Sequence, residues 1–532
     1  MNRRFPVYPY LFAVYPVIAL YSRMPGIIPF NSVVRPIFTQ ILLTALVFFM
    51  LYYKNKDIHR ASFLAGFAMF YFSSTGHLYR LLPLRSIPAA VHLIFVILGA
   101  IILVILGHPL LWKKYLTAAR LPTITTYLNL VAVISLFLPG IQIGKALFAM
   151  AGDAETPWTQ LAAQNQTPQT LITDPSPDIY YIILDGYTRQ DVLQDVFGFD
   201  NGEFIEALRR MGFYVAEDSH SNYMTTVVSL SSSLNMNYLD FTQKAAGKDS
   251  TNILPLLELI HHNLVRKTLE EAGYTTVAVS TDFPYTDWKD AGIYLFPYKN
   301  DLSELERFFY SMTALGAFYD PELPFTKELR EIFPIPSYGT RRDRIEFAFN
   351  QLKEIPKIKG PKFVFVHIIA PHPPFVFDAL GNPLIIDRPY LPGDGMGFGG
   401  GIEEYQSFYV NQLKFVNTEI LSALHAILTD SSTPPIIIIQ GDHGSGSLLR
   451  YNSLEESCMY ERTSILNAYF MPGGREQLLY SNITPVNSFR IVFNTYFNTN
   501  YPVLSDQIFY SPPDAIYDFR NITNLIESSC SN

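Results

Sequence analysis

Two segments of the sequence place metal-binding side chains directly after apolar runs. Asp442 and His443 follow four isoleucines at 436–439, and Asp185 follows the apolar run 178–184. Short apolar runs bounded by prolines and glycines predict strands buried on both faces of a parallel sheet. Ligands of such sheets bind beyond the carboxyl ends of the strands. Carboxylate oxygens and an imidazole nitrogen at these ends are suited to a divalent metal. The alternative is that these residues only form polar turns after core strands.

A dense run of hydroxyl side chains at 219–236 opens a predicted helix. Capping explains one or two of these hydroxyls, but not Thr225, Thr226 and Ser229 together with Ser231, Ser232 and Ser233. A hydroxyl at a helix N-terminus lies beside free N–H groups and the positive end of the helix dipole. This is a favourable place to hold phosphate or sulfate and to stabilise an alkoxide.

Two histidines accompany the predicted strand at 361–369. His367 lies within the strand and is interpreted as a core residue, whereas His372 lies between prolines in the following loop. Loops after strands carry function more often than strand interiors do. We therefore expect His372, and not His367, to face a pocket.

Together these residues form a coherent ligand set for one divalent cation. Asp185, Thr226, Asp442 and His443 supply two carboxylates, a hydroxyl and an imidazole. Metal coordination lowers the pKa of the threonine hydroxyl and fixes it in line with an electrophilic phosphorus. His372 then binds the non-bridging oxygens or protonates the leaving group. Oxygen-rich ligation with one histidine favours Mn²⁺ or Mg²⁺, with Zn²⁺ or Ca²⁺ as alternatives.

The elements that must position these residues alternate between strand and helix after residue 178. This alternation predicts an α/β domain with a mostly parallel central sheet and helices on both faces. The glycine-rich segment 395–401 is interpreted as a flexible surface loop, and 281–340 as an aromatic-rich insertion around the pocket. The predicted strands are 178–184, 213–216, 275–280, 361–369, 436–439 and 464–471, and the predicted helices are 191–211, 264–273, 341–352 and 404–428.

Composition separates an apolar N-terminal part from a soluble remainder. The chain has 532 residues, too many for one ordinary domain, and its 16% of charged residues lies below the roughly 25% of soluble domains. A net charge of −8 argues against a nucleic-acid partner. Two cysteines exclude a disulfide-rich scaffold, and their spacing leaves open whether Cys458 and Cys530 are bridged.

The first 150 residues predict a transmembrane helical domain of about five spans, followed by a linker at 151–177 and an extracytoplasmic domain at 178–532. The short loops hold eight basic residues on one side and four on the other, which favours a cytoplasmic N-terminus. An odd number of spans then places the second domain outside. The predicted spans are 7–22, 33–53, 61–77, 88–112 and 124–148.

The motifs, in chain order, resemble a known family. The series strand-Asp-Gly, Thr-x-x-Ser, Pro-His-x-Pro and Gly-Asp-His-Gly over 178–475 is similar to the sulfatase-like branch of the alkaline phosphatase superfamily. With membrane spans before it, the chain resembles lipoteichoic acid synthases and phosphoethanolamine transferases. The resemblance implies a metal held by Asp185, Thr226, Asp442 and His443, with Thr226 as nucleophile. It implies that His372 contacts the phosphate or sulfate.

Two departures from the family narrow the expected chemistry. Sulfatases convert a Cys or Ser to formylglycine within a motif that contains Pro and Arg, whereas 226–230 reads Thr-Val-Val-Ser-Leu. Two-metal phosphatases add a second Asp/His set, which has no convincing counterpart in the sequence. A one-metal transferase is therefore expected. Thr225 is the alternative nucleophile, and the alignment of Ser229 with the family's serine favours Thr226.

These features predict a multi-pass protein of the plasma (inner) membrane with an extracytoplasmic catalytic domain. The expected enzyme transfers a phosphoryl-alcohol head group, of phosphoglycerol or phosphoethanolamine type, from a membrane lipid donor to a glycan or lipid acceptor through a phosphothreonine. The alternatives are a phosphodiesterase or sulfuric-ester hydrolase of the same fold, and a non-catalytic membrane protein with a binding ectodomain. The oligomeric state is left open.

Overall fold

The computed structural model describes residues 5–23, 28, 30–82, 88, 90–114, 117, 119–152, 177–281, 283–299, 302–319, 326–526, 529 and 530. The predicted linker at 151–177 lies outside these residues except at its ends. The chain divides into two compact units. The first comprises Met1–Glu155, Tyr298–Thr340 and Ile386–Tyr390, and the second comprises Thr156–Pro297, Arg341–Ile385 and Leu391–Asn532.

The secondary structure of the described residues alternates between helix and strand after residue 178, as the sequence predicts. The helices are α1 (Tyr8–Tyr21), α2 (Val34–Asn55), α3 (Ile58–Arg80), α4 (Val91–Gly107), α5 (Pro109–Lys114), α6 (Leu121–Gly152), α7 (Gln190–Phe197), α8 (Gly202–Arg210), α9 (Thr226–Ser233), α10 (Asp240–Ala246), α11 (Leu254–His261), α12 (Leu264–Glu271), α13 (Glu304–Ser311), α14 (Gly316–Tyr319), α15 (Thr326–Ile332), α16 (Tyr338–Glu354), α17 (Ile402–Asp430), α18 (Met459–Thr463) and α19 (Pro485–Tyr496). The strands are β1 (Ile179–Leu184), β2 (Tyr214–Val215), β3 (Thr275–Val279), β4 (Ile293–Leu295), β5 (Lys362–Ile368), β6 (Ile436–Gln440), β7 (Asn467–Phe470), β8 (Phe509–Tyr510) and β9 (Arg520–Asn521).

The prediction of about five membrane spans is wrong in number. Among the described residues, two helical segments are long and apolar enough to cross a membrane, Phe30–Asn55 and Leu121–Lys145. Helix α1 has 14 residues and α4 has 17, so each is shorter than the roughly 30 Å hydrocarbon core at 1.5 Å per residue. Helix α3 is long enough at 23 residues, but its serines, threonine and histidine lower its mean hydropathy.

The first unit has an apolar core of its own, built by its N-terminal helices and by α13. The buried residues of this core include Val17, Tyr21, Val33, Leu305 and Phe309. Glu306 of α13 forms an ion pair with Arg35 and also closes a capping box with Ser303. Within this unit, α13 is thus held both by apolar packing and by a buried carboxylate.

The second unit is built on a seven-stranded sheet in the order β2-β7-β6-β1-β5-β3-β4. Strands β6, β1, β5, β3 and β4 are parallel, and β7 runs antiparallel to both β6 and β2. The predicted mostly parallel sheet is confirmed. β1 is central, between β5 and β6, so the loops that follow these three strands lie side by side at one edge of the sheet.

The central strands are buried because their side chains are apolar and β-branched or aromatic on both faces. All six residues of β1 and all five of β6 are buried, and the four isoleucines at 436–439 are each 0% exposed. Full burial of one isoleucine contributes about 1.5–3 kcal/mol. These strands therefore form a rigid base for the polar residues that follow them.

Local differences from the sequence prediction have clear backbone causes. The predicted helix at 191–211 is two helices, because Gly198 adopts a left-handed conformation with φ of +61° and ends α7. Strand β4 lies in the segment 281–340, for which the sequence predicts an aromatic-rich insertion and no strand, and it pairs in parallel with β3. Its three residues are too few to show a period in the sequence.

The two cysteines form a disulfide in the second unit. Cys458 and Cys530 are bonded, with their Cα atoms 5.4 Å apart and 72 positions apart in sequence. The bridge ties the C-terminal segment to the start of α18. The question that the sequence left open is thus answered in favour of a bridge.

Candidate metal centre

The predicted ligands are carried by the loops that follow the three central strands. Asp185 follows β1, and Asp442 and His443 follow β6 with one glycine between. Gly186 adopts φ of +69°, and its backbone N–H donates to Asp442 Oδ1 at 3.1 Å. This positive φ favours glycine, and the hydrogen bond fixes the β1 loop against the β6 loop.

The structure brings Asp185, Thr226, Asp442 and His443 together around one ring nitrogen. His443 Nε2 lies 3.6 Å from Asp185 Oδ1, 3.5 Å from Asp442 Oδ2 and 3.4 Å from Thr226 Oγ1. The two carboxylate residues and the histidine are each at most 2% exposed. The four groups therefore form one largely buried polar cluster.

Unpaired polar atoms at this site fit a bound cation. Asp185 Oδ1 and Asp442 Oδ2 are buried and accept no hydrogen bond from the described residues. The Nδ1 atom of His443 donates to the Gly444 carbonyl at 2.9 Å, which leaves the Nε2 lone pair facing the carboxylates. Buried carboxylate oxygens without a partner are costly, and a divalent cation held by these two oxygens and this nitrogen would remove the cost.

Thr226 is the first residue of α9, and Thr225 is its N-cap in extended conformation. The hydroxyl of Thr226 therefore lies at the helix end that carries free N–H groups and partial positive charge. The Thr225 hydroxyl is buried without a hydrogen-bond partner among the described residues, and the structure gives it no contact with His443. Of the two candidate nucleophiles, Thr226 is the one beside the predicted ligands.

His372 lies in the loop after β5 and is held by its backbone against the β1 loop. Its backbone N–H donates to the Asp185 carbonyl at 3.0 Å, and its Nδ1 donates to the Pro373 carbonyl at 2.5 Å. The Nε2 atom lies 3.7 Å from Asp394 Oδ2. The ring thus presents Nε2, with a carboxylate beside it, to the side of the site where Asp185 and His443 meet.

His367 belongs to the site, although its position within a strand predicts a core residue. It lies one residue before the end of β5 and pairs in register with Ile183 of β1. Its Nε2 lies 3.3 Å from Asp185 Oδ2, and Thr286 contacts its Nδ1 at 2.8 Å. The useful signal in the sequence is its place near the carboxyl end of a strand, where a side chain reaches the ligand edge of the sheet.

Asp394 and Arg462 are two further site residues that the sequence analysis missed. Asp394 directly precedes the glycine-rich segment that was interpreted as a flexible surface loop, yet it is 3% exposed. Arg462 Nη1 lies 2.7 Å from Asp394 Oδ2 and also donates to the Gly444 carbonyl at 3.1 Å. Because Arg462 Nε donates to the Met224 carbonyl at 2.7 Å, the arginine joins the loops that carry the histidine and the threonine.

The electrostatics of the site favour the protonation states that bind a metal. Burial opposes ionisation of Asp185, but His372, His367 and His443 outweigh it and hold the pKa of this carboxyl well below its usual value. Burial, reinforced by the charge of Arg462, lowers the pKa of the His443 imidazole. At neutral pH Asp185 is thus a carboxylate and His443 a neutral imidazole.

No family model and no curated protein matches the sequence. Similar solved structures include the C-terminal periplasmic domain of EcEptC from Escherichia coli in complex with Zn, at 9% identity and a TM-score of 0.41, covering 67% of this chain and 94% of that domain. The corresponding domain of the phosphoethanolamine transferase EptC from Campylobacter jejuni has 12% identity and a TM-score of 0.36, covering 64% and 94%. BT1596, a 2-O GAG sulfatase, has 14% identity and a TM-score of 0.36, covering 62% and 72%. The similar structures thus include a phosphoethanolamine transferase domain and a sulfatase, the kinds of enzyme that the motifs of this chain resemble.

Proposed function

We propose that the chain is a membrane-anchored, metal-dependent phosphotransferase whose catalytic site lies in the second unit. It transfers a phosphoryl-alcohol head group, of phosphoglycerol or phosphoethanolamine type, from a phospholipid to a hydroxyl of a glycan or lipid acceptor. The observation that carries this proposal is the Thr226 hydroxyl at the start of α9, 3.4 Å from His443 Nε2. A hydroxyl in this setting is poised to act as a nucleophile rather than to cap a helix.

The donor set fits one divalent cation held by Asp185, Thr226, Asp442 and His443. Such an ion would lower the pKa of the threonine hydroxyl and neutralise charge on the phosphoryl oxygens. His367 adds a second imidazole 3.3 Å from Asp185 Oδ2. Because nitrogen donors suit Mn²⁺ and Zn²⁺ better than Mg²⁺ or Ca²⁺, we infer Mn²⁺ or Zn²⁺ as the ion.

In the first half of the reaction, Thr226 Oγ1 forms a bond to the phosphorus of the donor lipid. The bond between phosphorus and the diacylglycerol oxygen breaks, and the head group remains on Thr226 as a phosphodiester. In the second half, an acceptor hydroxyl attacks the same phosphorus and Thr226 is released. The hydroxyl proton of Thr226 leaves to solvent in the first step and is regained in the second.

His372 is the proposed proton carrier for both halves. Its Nδ1 is engaged by the Pro373 carbonyl, so Nε2 is the atom that gives a proton to the departing diacylglycerol oxygen. Asp394 Oδ2 lies 3.7 Å from this Nε2, so a carboxylate stands beside the nitrogen that is proposed to carry the proton. The same nitrogen then takes the proton of the acceptor hydroxyl.

The disulfide supports an extracytoplasmic location for the second unit. With two spans instead of five, an N-terminus in the cytoplasm would return the chain to the cytoplasm after Leu121–Lys145, so the loop-charge argument no longer places the site outside. A bond between Cys458 and Cys530 persists in oxidising compartments and not in the cytoplasm. We therefore propose an inner-membrane protein whose catalytic unit faces the periplasmic or external side.

Product analysis tests this function. The full-length protein in detergent, supplied with Mn²⁺, is incubated with phosphatidylethanolamine or phosphatidylglycerol and with a glycolipid acceptor. We expect release of diacylglycerol and an acceptor that carries the head group, with both lost in Thr226→Ala and retained in Thr225→Ala. Free head group without modified acceptor would instead identify a hydrolase. No turnover of either lipid would contradict the proposal.

A further inference from the structure

Two aliphatic side chains on one hairpin of the second unit, residues 376–385, are almost fully exposed. Leu380 is 87% exposed and Ile385 is 90% exposed. Among the residues that the structure describes, no other large apolar side chain is as exposed, including those of the two candidate membrane spans. Single apolar residues are common on protein surfaces, but two nearly fully exposed ones within six positions indicate an interaction surface.

Contacts at the base of the hairpin hold it in one conformation. Phe377 and Pro383 pair as an antiparallel bridge, and the Leu384 N–H donates to the Val376 carbonyl at 2.9 Å. Phe377 is buried and stacks on Phe415 of α17, with ring centroids 4.1 Å apart. The two exposed side chains therefore extend from a fixed base and not from a frayed loop.

The polar groups at the tip of the hairpin are bonded within it. Asp378 is the only ionisable residue at 376–386. One of its carboxylate oxygens accepts the backbone N–H groups of Leu380 and Asn382, both at 2.8 Å, and the other accepts the Asn382 side-chain amide at 2.9 Å. The Gly381 N–H donates to the Asp378 carbonyl at 3.1 Å. A tip whose N–H groups are already bonded meets the main requirement for entering a medium without water.

The chain passes from the hairpin directly into the unit that holds the candidate membrane spans. Ile386–Tyr390 belongs to the first unit, so Ile385 is one peptide bond away from it. Within that unit the Tyr338 hydroxyl donates to the Pro389 carbonyl at 3.3 Å, and the rings of Tyr338 and Tyr390 meet edge to face at 5.4 Å. The segment after the hairpin is therefore packed against the start of α16.

The neighbouring residues of the first unit lead to the end of a candidate span. Ile335, three positions before α16, packs in the buried core that also contains Val33. Val33 lies near the beginning of Phe30–Asn55, one of the two segments long and apolar enough to cross a membrane. Leu380 is six positions before the first unit resumes, at most roughly 20 Å of extended chain. The hairpin is thus within reach of a bilayer that this segment crosses.

We propose that the hairpin inserts Leu380 and Ile385 into the lipid bilayer and so holds the second unit at the membrane surface. The inference rests on the membrane anchoring in the proposed function and is independent of the reaction. A bilayer is the favoured partner because the chain carries its own candidate spans and the single carboxylate of the hairpin is bonded within it. Apolar side chains gain free energy in proportion to the area that leaves water, so nearly fully exposed ones gain most.

Spin labelling of the full-length protein in liposomes of phosphatidylethanolamine and phosphatidylglycerol tests this insertion. Leu380→Cys and Ile385→Cys are labelled separately with a nitroxide, and the two native cysteines do not react because they are bonded to each other. Power saturation compares collisions with oxygen, which concentrates in hydrocarbon, and with a water-soluble nickel chelate on both sides of the bilayer. We expect oxygen to dominate at both positions. The nickel chelate should dominate at the control Val503→Cys, another exposed aliphatic position of the second unit.

A charge at the tip provides a second arm of the test. Leu380→Asp opposes entry into hydrocarbon, so in the Ile385→Cys protein it should shift the label from oxygen towards nickel accessibility. Val503→Asp in the same background should leave the label unchanged. Because all of these positions are exposed, the variants should keep the wild-type melting temperature in detergent. If one labelled variant fails to fold, the other position carries the test.

Nickel-dominated collisions at both 380 and 385 would overturn the proposal. Shielding of both labels from oxygen and nickel alike would also overturn it, because it would indicate contact with a protein surface. Oxygen-dominated collisions in a protein that forms no phosphothreonine would support the insertion while contradicting the proposed function.

Discussion

His367 Nε2 lies 3.3 Å from Asp185 Oδ2, on the side of β1 opposite to His443. The Thr286 hydroxyl contacts the other ring nitrogen at 2.8 Å and fixes the orientation of the imidazole. Asp185 is therefore flanked by two imidazoles, one on each neighbouring strand end. If Asp185 is a metal ligand, as proposed, such an arrangement would orient its carboxylate and tune its affinity for the metal.

Replacing His367 with glutamine should weaken binding of Mn²⁺ by about 10- to 100-fold, the usual effect of losing a group that orients or completes a ligand set. Calorimetric titration of metal-free protein measures this affinity. His425→Gln, an exposed position on α17, is the matched control and should bind as the wild type does. Unchanged affinity in His367→Gln would show that His367 is only a core residue, as its place in the strand first indicates.

Loss of Arg462 should destabilise the second unit. Arg462 and Asp394 are joined at 2.7 Å, with side chains that are 2% and 1% exposed. Arg462→Met leaves a buried carboxylate without its cation, at an expected cost of about 3–5 kcal/mol in the free energy of unfolding. Chemical denaturation in detergent measures this cost. The double variant with Asp394→Asn should recover part of it, and the exposed control Arg209→Met should cost less than about 0.5 kcal/mol. A cost no larger than that of the control would contradict the assigned ion pair.

The residues that could be predicted from the sequence are those whose position follows from local pattern. Asp185, Asp442 and His443 directly follow apolar, β-branched strands, and the rule for strand ends places them at one edge. Asp394 and Arg462 come from a loop and a short helix, where nothing local indicates which sheet edge they reach. Their contact spans 68 positions and exists only in the folded chain.

The membrane prediction failed for a different reason. Apolar composition alone does not distinguish a helix that spans a bilayer from a short apolar helix packed within a unit. Helix α1 is only 14 residues long and has Tyr8, Ala13 and Val17 buried within the protein. The length of α1 and the side chains that it packs against distinguish these two kinds of helix, and composition gives neither.

The stability of the second unit should fall as the pH is lowered, because His220 is buried. Burial, reinforced by the charge of Arg189, lowers the pKa of His220 to about 3. Below the unfolded pKa of about 6.5, the unfolded chain takes up a proton that the folded chain does not. The free energy of unfolding therefore decreases from pH 6.5 towards pH 3, by roughly 3 kcal/mol at pH 4 for this group alone.

Melting temperatures at several pH values measure this effect in the full-length protein. His220→Gln should reduce the fall in melting temperature at acid pH, whereas His425→Gln, at an exposed position, should leave that fall unchanged. If the melting temperature falls equally with acid in His220→Gln and in the wild type, other groups cause the loss of stability.

Removal of the disulfide should lower stability without displacing the site residues. Closure of a loop between positions 72 apart stabilises the fold by roughly 4 kcal/mol in the chain-entropy model. The double variant Cys458→Ser, Cys530→Ser should therefore melt at a lower temperature than the wild type under oxidising conditions. Under reducing conditions the two proteins should melt alike. Equal melting temperatures in the oxidised state would argue against the bridge, and with it against the extracytoplasmic location.

The most direct test of the central claim is intact-mass analysis of the protein after incubation with Mn²⁺ and a phospholipid donor, without acceptor. The claim is that Thr226, gathered with Asp185, Asp442 and His443, forms a covalent phosphodiester with the donor's head group. The predicted result is a mass increase equal to one phosphoethanolamine or phosphoglycerol group. Fragmentation should place it on Thr226, and it should be absent in Thr226→Ala and present in Thr225→Ala. An unmodified mass, or an adduct that persists in Thr226→Ala, would contradict the account.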